Sequence, residues 1–238
     1  MKKALILRGG WAGHDPVVTT DRFAAMLRKH DFDVQVYDSL DPLGDLDALL
    51  ALDLIVISYT MGAIDPAYTK NVCKAVGAGV GLAGCHGGLC DAFRQDTDWQ
   101  YMTGGQWVAH PGNDSVTYQV HISAQHAITE GMVDFAVTSE QYYLHYDPAV
   151  EVLATTHFPS VCGYAMTNKP VEMPVAWTKM WGNGRVFYSS LGHNDKLFEA
   201  SPEASLLMER GMLWASESRE IALREGLTTD RFESGDAL

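Results

Sequence analysis

The sequence predicts a single α/β domain, a mostly parallel central sheet with helices on both faces and a strand-rich C-terminal half. Three observations predict it. Short β-rich runs alternate with helical patterns through the first half of the chain. Runs such as Leu54-Ile55-Val56-Ile57 are continuously apolar, as strands are when helices cover both faces of a parallel sheet. The 238 residues, 47% of them hydrophobic, are enough for one sizeable core.

The first elements read βαβαβ: a strand over Ala4 to Leu7, a helix over Val18 to His30, a strand over Asp33 to Tyr37, a helix over Leu43 to Leu52 and a strand over Leu54 to Ser58. In the first helix Phe23, Ala24, Met26, Leu27 and His30 share one face, and Asp21 lies near its start, where an acid suits the helix dipole. Asp65-Pro66 opens another helix, with proline where its missing N–H does no harm. Val80 to Ala83 is a short buried strand and Leu89 to Arg94 a helical stretch. From Phe93 to Asn113 the pattern becomes a long polar and aromatic loop carrying Trp99, Tyr101 and Trp107, and a loop of that length in a compact domain points to function.

Strands are predicted over Val116 to Ile122, Phe135 to Tyr143, Val150 to Thr156, Met173 to Lys179 and Arg185 to Ser190. Gly182-Asn183-Gly184 makes the last two a hairpin. A final helix spans Glu203 to Ser216. The domain is placed over residues 1–218, with 219–238 as a C-terminal tail that frays or docks on a partner.

The net charge of −13 and the lack of a basic cluster exclude nucleic acid and anionic membranes as partners, because both are held through neutralised negative charge. No apolar run approaches the roughly 20 residues of a membrane helix, and Met1 to Leu7 is too short for a signal-peptide core, so a cytoplasmic location is expected. Cys73, Cys85, Cys90 and Cys162 lack paired spacing and read mostly as reduced core residues. Oligomeric state is left open, a homo-oligomer included.

The segment Gly84-Cys85-His86-Gly87-Gly88 follows a strand and precedes a helix, with glycines two residues either side of His86. That spacing is that of a nucleophile elbow, the sharp strained turn that lifts one side chain above a sheet. Here the side chain is an imidazole, a base and a metal ligand rather than an acyl-forming nucleophile. Cys85 is the alternative nucleophile, one position early for the glycines. The plain alternative is that the glycines only turn the chain.

Six blocks in order resemble the trehalose-utilisation (ThuA-like) family: residues 8–16, 84–87, 104–111, 126–131, 139–142 and 184–193. The resemblance implies a class I glutamine-amidotransferase-like fold, flavodoxin-like in its core, without a glutaminase triad. It also implies a role in the use of disaccharides and related sugars or polyols, alongside an oxidoreductase that makes 3-keto sugars. Where that family carries an acid ahead of the glutamate, this chain has Ser139 before Glu140.

Loops after the carboxyl ends of parallel strands converge on one rim, where open α/β sheets bind ligands. His14, His86 and His193 each follow a strand, and His110 lies in the aromatic loop. The expected catalytic pair is His86 with Glu140; Trp11, His14, Trp107, His110, Tyr142, His145 and His193 are the expected substrate-binding residues, with Trp11, Trp99 and Trp107 as a sugar-stacking wall. Each histidine alone has a structural reading as a loop or cap ligand. No compact metal motif is present, so any metal, zinc being the natural occupant, would assemble from His14, His86, His110 and His193 on separate loops. The expected function is action on, or binding of, a disaccharide, 3-keto sugar or polyol. The competing readings are a non-catalytic sugar-binding regulator on the same scaffold and a divergent amidotransferase using Cys85.

Overall fold

Apolar runs and helical patterns of the first half fold as alternating elements in the computed structural model, which describes residues 1–162, 165–167 and 169–233. They are β1 (Lys2–Gly10), α1 (Pro16–Lys29), β2 (Phe32–Tyr37), α2 (Leu46–Leu50), β3 (Leu54–Thr60), α3 (Pro66–Gly77), β4 (Gly81–Cys85) and α4 (His86–Cys90). Then come α5 (Thr97–Thr103), β5 (Gly105–Ala109), β6 (Val116–Ile122), β7 (Phe135–Ser139), β8 (Tyr143–Tyr146) and β9 (Glu151–Phe158). The last described elements are β10 (Val161–Cys162), β11 (Ala165–Met166), β12 (Val171–Trp181), β13 (Gly184–Ser189), α6 (Asp195–Ala200), α7 (Pro202–Glu225) and α8 (Asp230–Glu233). Side chains at the starts of α3, α5 and α7 satisfy first-turn N–H groups: Asp65 accepts from Ala67, Asp96 from Trp99 and Ser201 from Ala204.

Among the described residues nine strands form one sheet in the order β2-β1-β3-β4-β13-β12-β9-β6-β7. The first five are mutually parallel, in the doubly wound order, and the remaining pairings are antiparallel. The sheet is therefore mixed where the sequence suggested mostly parallel, because the strand-rich second half extends the same sheet. Two smaller ribbons, β5 with β8 and β10 with β11, stand apart from it.

Alternation along β1 sends Ala4 and Ile6 into one core and Leu5 and Leu7 into the other. The first core is closed by Phe23 and Leu27 of α1 and by Leu207 and Met212 of α7; the second by Val72 and Val76 of α3 and Met102 of α5. Each such fully buried side chain contributes about 1.5–3 kcal/mol by leaving water.

Several boundaries differ from expectation. The supposed loop from Phe93 to Asn113 contains α5 and β5, and Trp99 is a core residue whose indole donates to Leu89 O at 3.0 Å. The predicted strand to Tyr143 ends at Ser139 and resumes as β8, which releases Glu140, Gln141 and Tyr142 from the sheet. Helix α7 runs to Glu225, through the boundary drawn after residue 218, and buries Ala222. Beyond it Asn183 of the hairpin turn donates to Thr228 O and accepts from Arg231, so the described part of the tail docks on its own sheet. Residues 234–238 lie outside the described residues, as does the Cys162 side chain; Cys73, Cys85 and Cys90 are free thiols. No helix among the described residues is long and apolar enough to cross a membrane.

Candidate active site: a histidine and glutamate cluster at the sheet rim

The elbow forms because β4 runs so close to β3 that side chains have no room. A Cβ at Gly84 would sit 2.7 Å from Ile57 O, and one at Gly88 would sit 2.8 Å from Ser58 Cα. Between them the chain turns at His86, whose φ of 51° is left-handed, a conformation costly for any residue but glycine and found where function demands it. The turn carries the imidazole to the carboxyl end of the sheet.

His14 and His193 reach the same rim from the ends of β1 and β13, which run parallel to β4. Glu140 arrives differently. Between β13 and β7 the strand direction reverses four times, an even number, so β7 also points its carboxyl end at that rim and Glu140 follows it directly. Ligand atoms of His14, His86, His193 and Glu140 all lie within 4.8 Å of one another.

Their hydrogen bonds leave these atoms aimed inward. His86 Nδ1 donates to Ser190 O at 2.7 Å, which places its Nε2 2.9 Å from Glu140 Oε2. His14 Nδ1 bonds Thr60 Oγ1 at 2.8 Å, and Nε2 is the atom left for the cluster. His193 Nδ1 is buried 3.3 Å from Glu140 Oε2 and has no hydrogen-bond partner. With Nδ1 of His86 committed as a donor, its neutral Nε2 would present a lone pair to a carboxylate oxygen; a proton or a cation must lie between them. Three imidazole nitrogens and a carboxylate oxygen, all within 4.8 Å of one another, are a donor set that would suit a divalent ion such as zinc.

The electrostatics favour uncharged rings beside an ionised acid. Burial pushes His14 down to about 3, helped by the neighbouring His86 and His193, and burial also lowers His86 against the opposing pull of Glu140. Burial by itself would raise the Glu140 carboxyl, but His193 and His86 outweigh it and hold it below the usual carboxylate range. Neutral imidazoles around a carboxylate are the protonation state that metal binding requires.

A cavity of about 430 Å3 opens over the cluster, and His14, Glu140, Tyr142 and His193 form its floor. Trp11, 46% exposed, and Trp107 wall it, and His110 joins from the end of β5 with Nε2 3.7 Å from Glu140 Oε1. His86 is placed otherwise than expected: only 1% exposed, it lies under the floor, stacked 3.9 Å from the Tyr142 ring, and meets the cavity through Glu140. The ring therefore does not reach the cavity as a base on a substrate would have to, since the carboxylate stands between them. His145 is exposed on β8 and lines a separate groove with Tyr143, Tyr146 and Met173. Cys85 is buried beside Gly192 with its thiol pushed up to about 12, so it has neither access nor thiolate character for nucleophilic work.

Asp91 and Arg94 are cavity residues that sequence reasoning missed. Arg94 binds Asp91 through two hydrogen bonds of 2.5 and 2.9 Å and lies over the Trp107 ring at 4.7 Å. Their spacing, an acid three residues before an arginine just past the elbow, was the available signal.

The family model for trehalose utilisation (ThuA) matches residues 3–215. No curated relative matches the chain in sequence. Among solved structures, a putative ThuA-like protein from Bacteroides uniformis superposes with a TM-score of 0.72 at 18% identity, covering 90% of this chain and 91% of that one. One from Parabacteroides merdae gives 0.70 at 17% identity over 90% of each chain. A protein of Salmonella typhimurium described as cytoplasmic gives 0.61 at 14% identity, covering 87% and 97%. At these identities the superpositions speak for the shared fold, and the match along nearly the whole sequence speaks for descent: the chain belongs to the ThuA, trehalose-utilisation, family.

Proposed function

We propose that the chain is a cytoplasmic metal-dependent enzyme of carbohydrate metabolism whose substrate is a 3-keto sugar or a related saccharide. The observation that carries this is the convergence of His14, His86, His193 and Glu140 from four strand ends, under a cavity walled by two tryptophans. On this reading the scaffold is a class I glutamine-amidotransferase-like one in which an imidazole occupies the glutaminase cysteine position. A divalent ion such as zinc held among these residues, with one coordination position left open to the cavity, would polarise a sugar carbonyl or hydroxyl as a Lewis acid.

The chain's own residues do the rest. Trp11 and Trp107 offer apolar ring faces to the C–H face of a sugar. His110 and Glu140 Oε1 border the cavity and are placed to take and return a proton at a substrate hydroxyl or at the carbon beside a carbonyl. His86, below them, positions Glu140 through its Nε2 hydrogen bond in the ion-free protein and would be a ligand through the same atom once an ion is held. The family's trehalose-utilisation role supports a saccharide substrate, and an oxidoreductase that generates keto sugars is the matching upstream activity.

The test is elemental analysis together with turnover of a 3-keto disaccharide by wild type, Glu140→Gln and His86→Ala. About one divalent ion per chain is expected in wild type, with metal affinity and turnover each reduced about 100-fold or more in both variants. Equal turnover by the three proteins, or a wild type that takes up no ion when zinc is supplied, would overturn the reading.

A further inference from the structure

An imidazole has two ring nitrogens, and what the second one meets decides whether the first can hold an ion. The three clustered histidines are met differently. His86 Nδ1 faces Ser190 O, a carbonyl that can only accept, so the proton stays on Nδ1 and Nε2 keeps its lone pair. His193 turns Nδ1 itself to Glu140 Oε2, and that nitrogen has no hydrogen-bond partner. His14 Nδ1 meets the hydroxyl of Thr60 at 2.8 Å, and a hydroxyl can either donate or accept.

Thr60 is the last residue of β3 and is 2% exposed. Its main chain is pinned against β1: it pairs with Gly10, where any Cβ would overlap Thr60 O, and Trp11 N donates to that oxygen at 3.0 Å. Its methyl group borders the elbow. A Cβ at Gly87 would lie 2.9 Å from Thr60 Cγ2 and 2.8 Å from His14 Cε1, so the glycine is what lets ring and threonine lie side by side. A β-branched side chain is also stiff about its first torsion. The hydroxyl is thus held in one place, and among the described residues it bonds only His14.

A hydroxyl so placed suits both neutral forms of His14. With the ring proton on Nε2, the hydroxyl donates to Nδ1. With the proton on Nδ1, the ring donates to the hydroxyl, and Nε2 turns a lone pair to Glu140 and the other two rings. Only the second form can hold an ion, and neither leaves Nδ1 buried without a partner, the arrangement that costs most. We propose that Thr60 is a positioning residue of the metal site: its hydroxyl accepts from His14 Nδ1 and so fixes Nε2 as the ligand atom. This rests on the metal reading above and extends it to a residue that is itself no ligand.

The experiment measures zinc affinity of the full chain by competition with a chromophoric chelator at neutral pH, for wild type, Thr60→Val and Thr60→Ser. Valine keeps the branched shape and loses the hydroxyl; serine keeps the hydroxyl. Thermal unfolding without zinc checks that each variant is folded, and proton–nitrogen correlation spectra of histidine-labelled wild type read which ring nitrogen of His14 carries the proton. Thr60→Val is expected to bind zinc about 10–100-fold more weakly and Thr60→Ser to stay within about threefold of wild type, with the His14 proton on Nδ1 once zinc is bound. Zinc affinity undiminished in Thr60→Val, or lost equally in both variants, would overturn the role of the hydroxyl and leave the metal reading intact. So would a His14 proton on Nε2 in zinc-loaded wild type, a result that does not depend on either variant folding. A wild type that takes up no zinc would overturn the metal reading and this role with it.

Discussion

Strands β3 and β4 and strands β6 and β7 lie in one sheet and serve the site in opposite ways. Every residue of β4, and all of β3 except Tyr59, is buried, whereas β6 and β7 alternate: Tyr118, Val120, Phe135 and Val137 face the core, while Thr117, Gln119, Ala136 and Thr138 face solvent. The covered strands can hold a strained turn such as the one at His86 because packing on both sides over-determines it. The half-covered strands cannot store strain in that way, and their outer face stays open to solvent. Rigidity beneath the histidine and glutamate cluster and openness of the β6–β7 side thus follow from how many faces of the sheet are covered.

The largest expected effect breaks the contrast at its rigid end. Gly84→Ala places a Cβ 2.7 Å from Ile57 O and 2.9 Å from Leu89 Cβ, where neither backbone nor helix can yield. Loss of about 3 kcal/mol of stability is expected, read as a shift of the urea midpoint at constant m-value. Thr138→Trp on the exposed face of β7 is expected to change stability by no more than about 0.5 kcal/mol in the same measurement. Equal effects of the two substitutions would mean that the elbow is not braced by β3 as its geometry indicates.

A smaller effect sharpens the contrast at the seam between the two parts. Arg22 of α1, on the parallel side, binds Asp195 through hydrogen bonds of 2.6 and 2.7 Å, and α6, which Asp195 opens, covers β7. Asp195 is also two residues from His193. Asp195→Asn is expected to cost about 2 kcal/mol, since it removes a hydrogen-bonded charge from a largely buried pair. On the proposed metal-binding reading it is also expected to weaken zinc affinity about tenfold by loosening the loop that presents His193. Unchanged metal affinity with reduced stability would assign the pair a purely structural role.

The sequence shows the parallel half far better than the antiparallel one, for a physical reason. Continuous apolar runs mark doubly covered strands, and parallel strands share a rim, so His14, His86 and His193 could be assigned to one end of the sheet without coordinates. Glu140 stood out by its residue block, but its arrival at that rim depends on counting antiparallel reversals, and strand pairing is not written in any local pattern. The depth of His86 was equally hidden: glycine spacing reveals a sharp turn, whereas Tyr142, which seals the ring from above, comes from a segment that reads as unbroken strand because Tyr142 and Tyr143 are good strand formers. The length of α7 escaped because its last turns pack through small residues. Ala215, Ser218 and Ala222 lie against the 78–81 turn, with Ser218 donating to Gly79 O and Arg219 to Ala78 O, so the stretch looks polar although one side of it is buried.

The smallest expected effect concerns how the antiparallel half is fastened. Lys179 of β12 is buried and bonds both Asp147, at the end of β8, and Tyr101 O, so a charged pin holds the β5–β8 ribbon, which carries Trp107 and His110, against the main sheet. The hydrogen bond from Lys179 holds the Asp147 carboxyl below the ordinary aspartate value. A carboxyl depressed in the folded state contributes stability that is complete above its unfolded value, near about pH 4, and is lost as pH falls through the folded value. Asp147→Asn is therefore expected to be less stable than wild type at pH 6, with the difference shrinking steadily towards pH 3. Urea titrations at four or five pH values would show it, and a difference independent of pH would mean that the pin works through packing and not through charge.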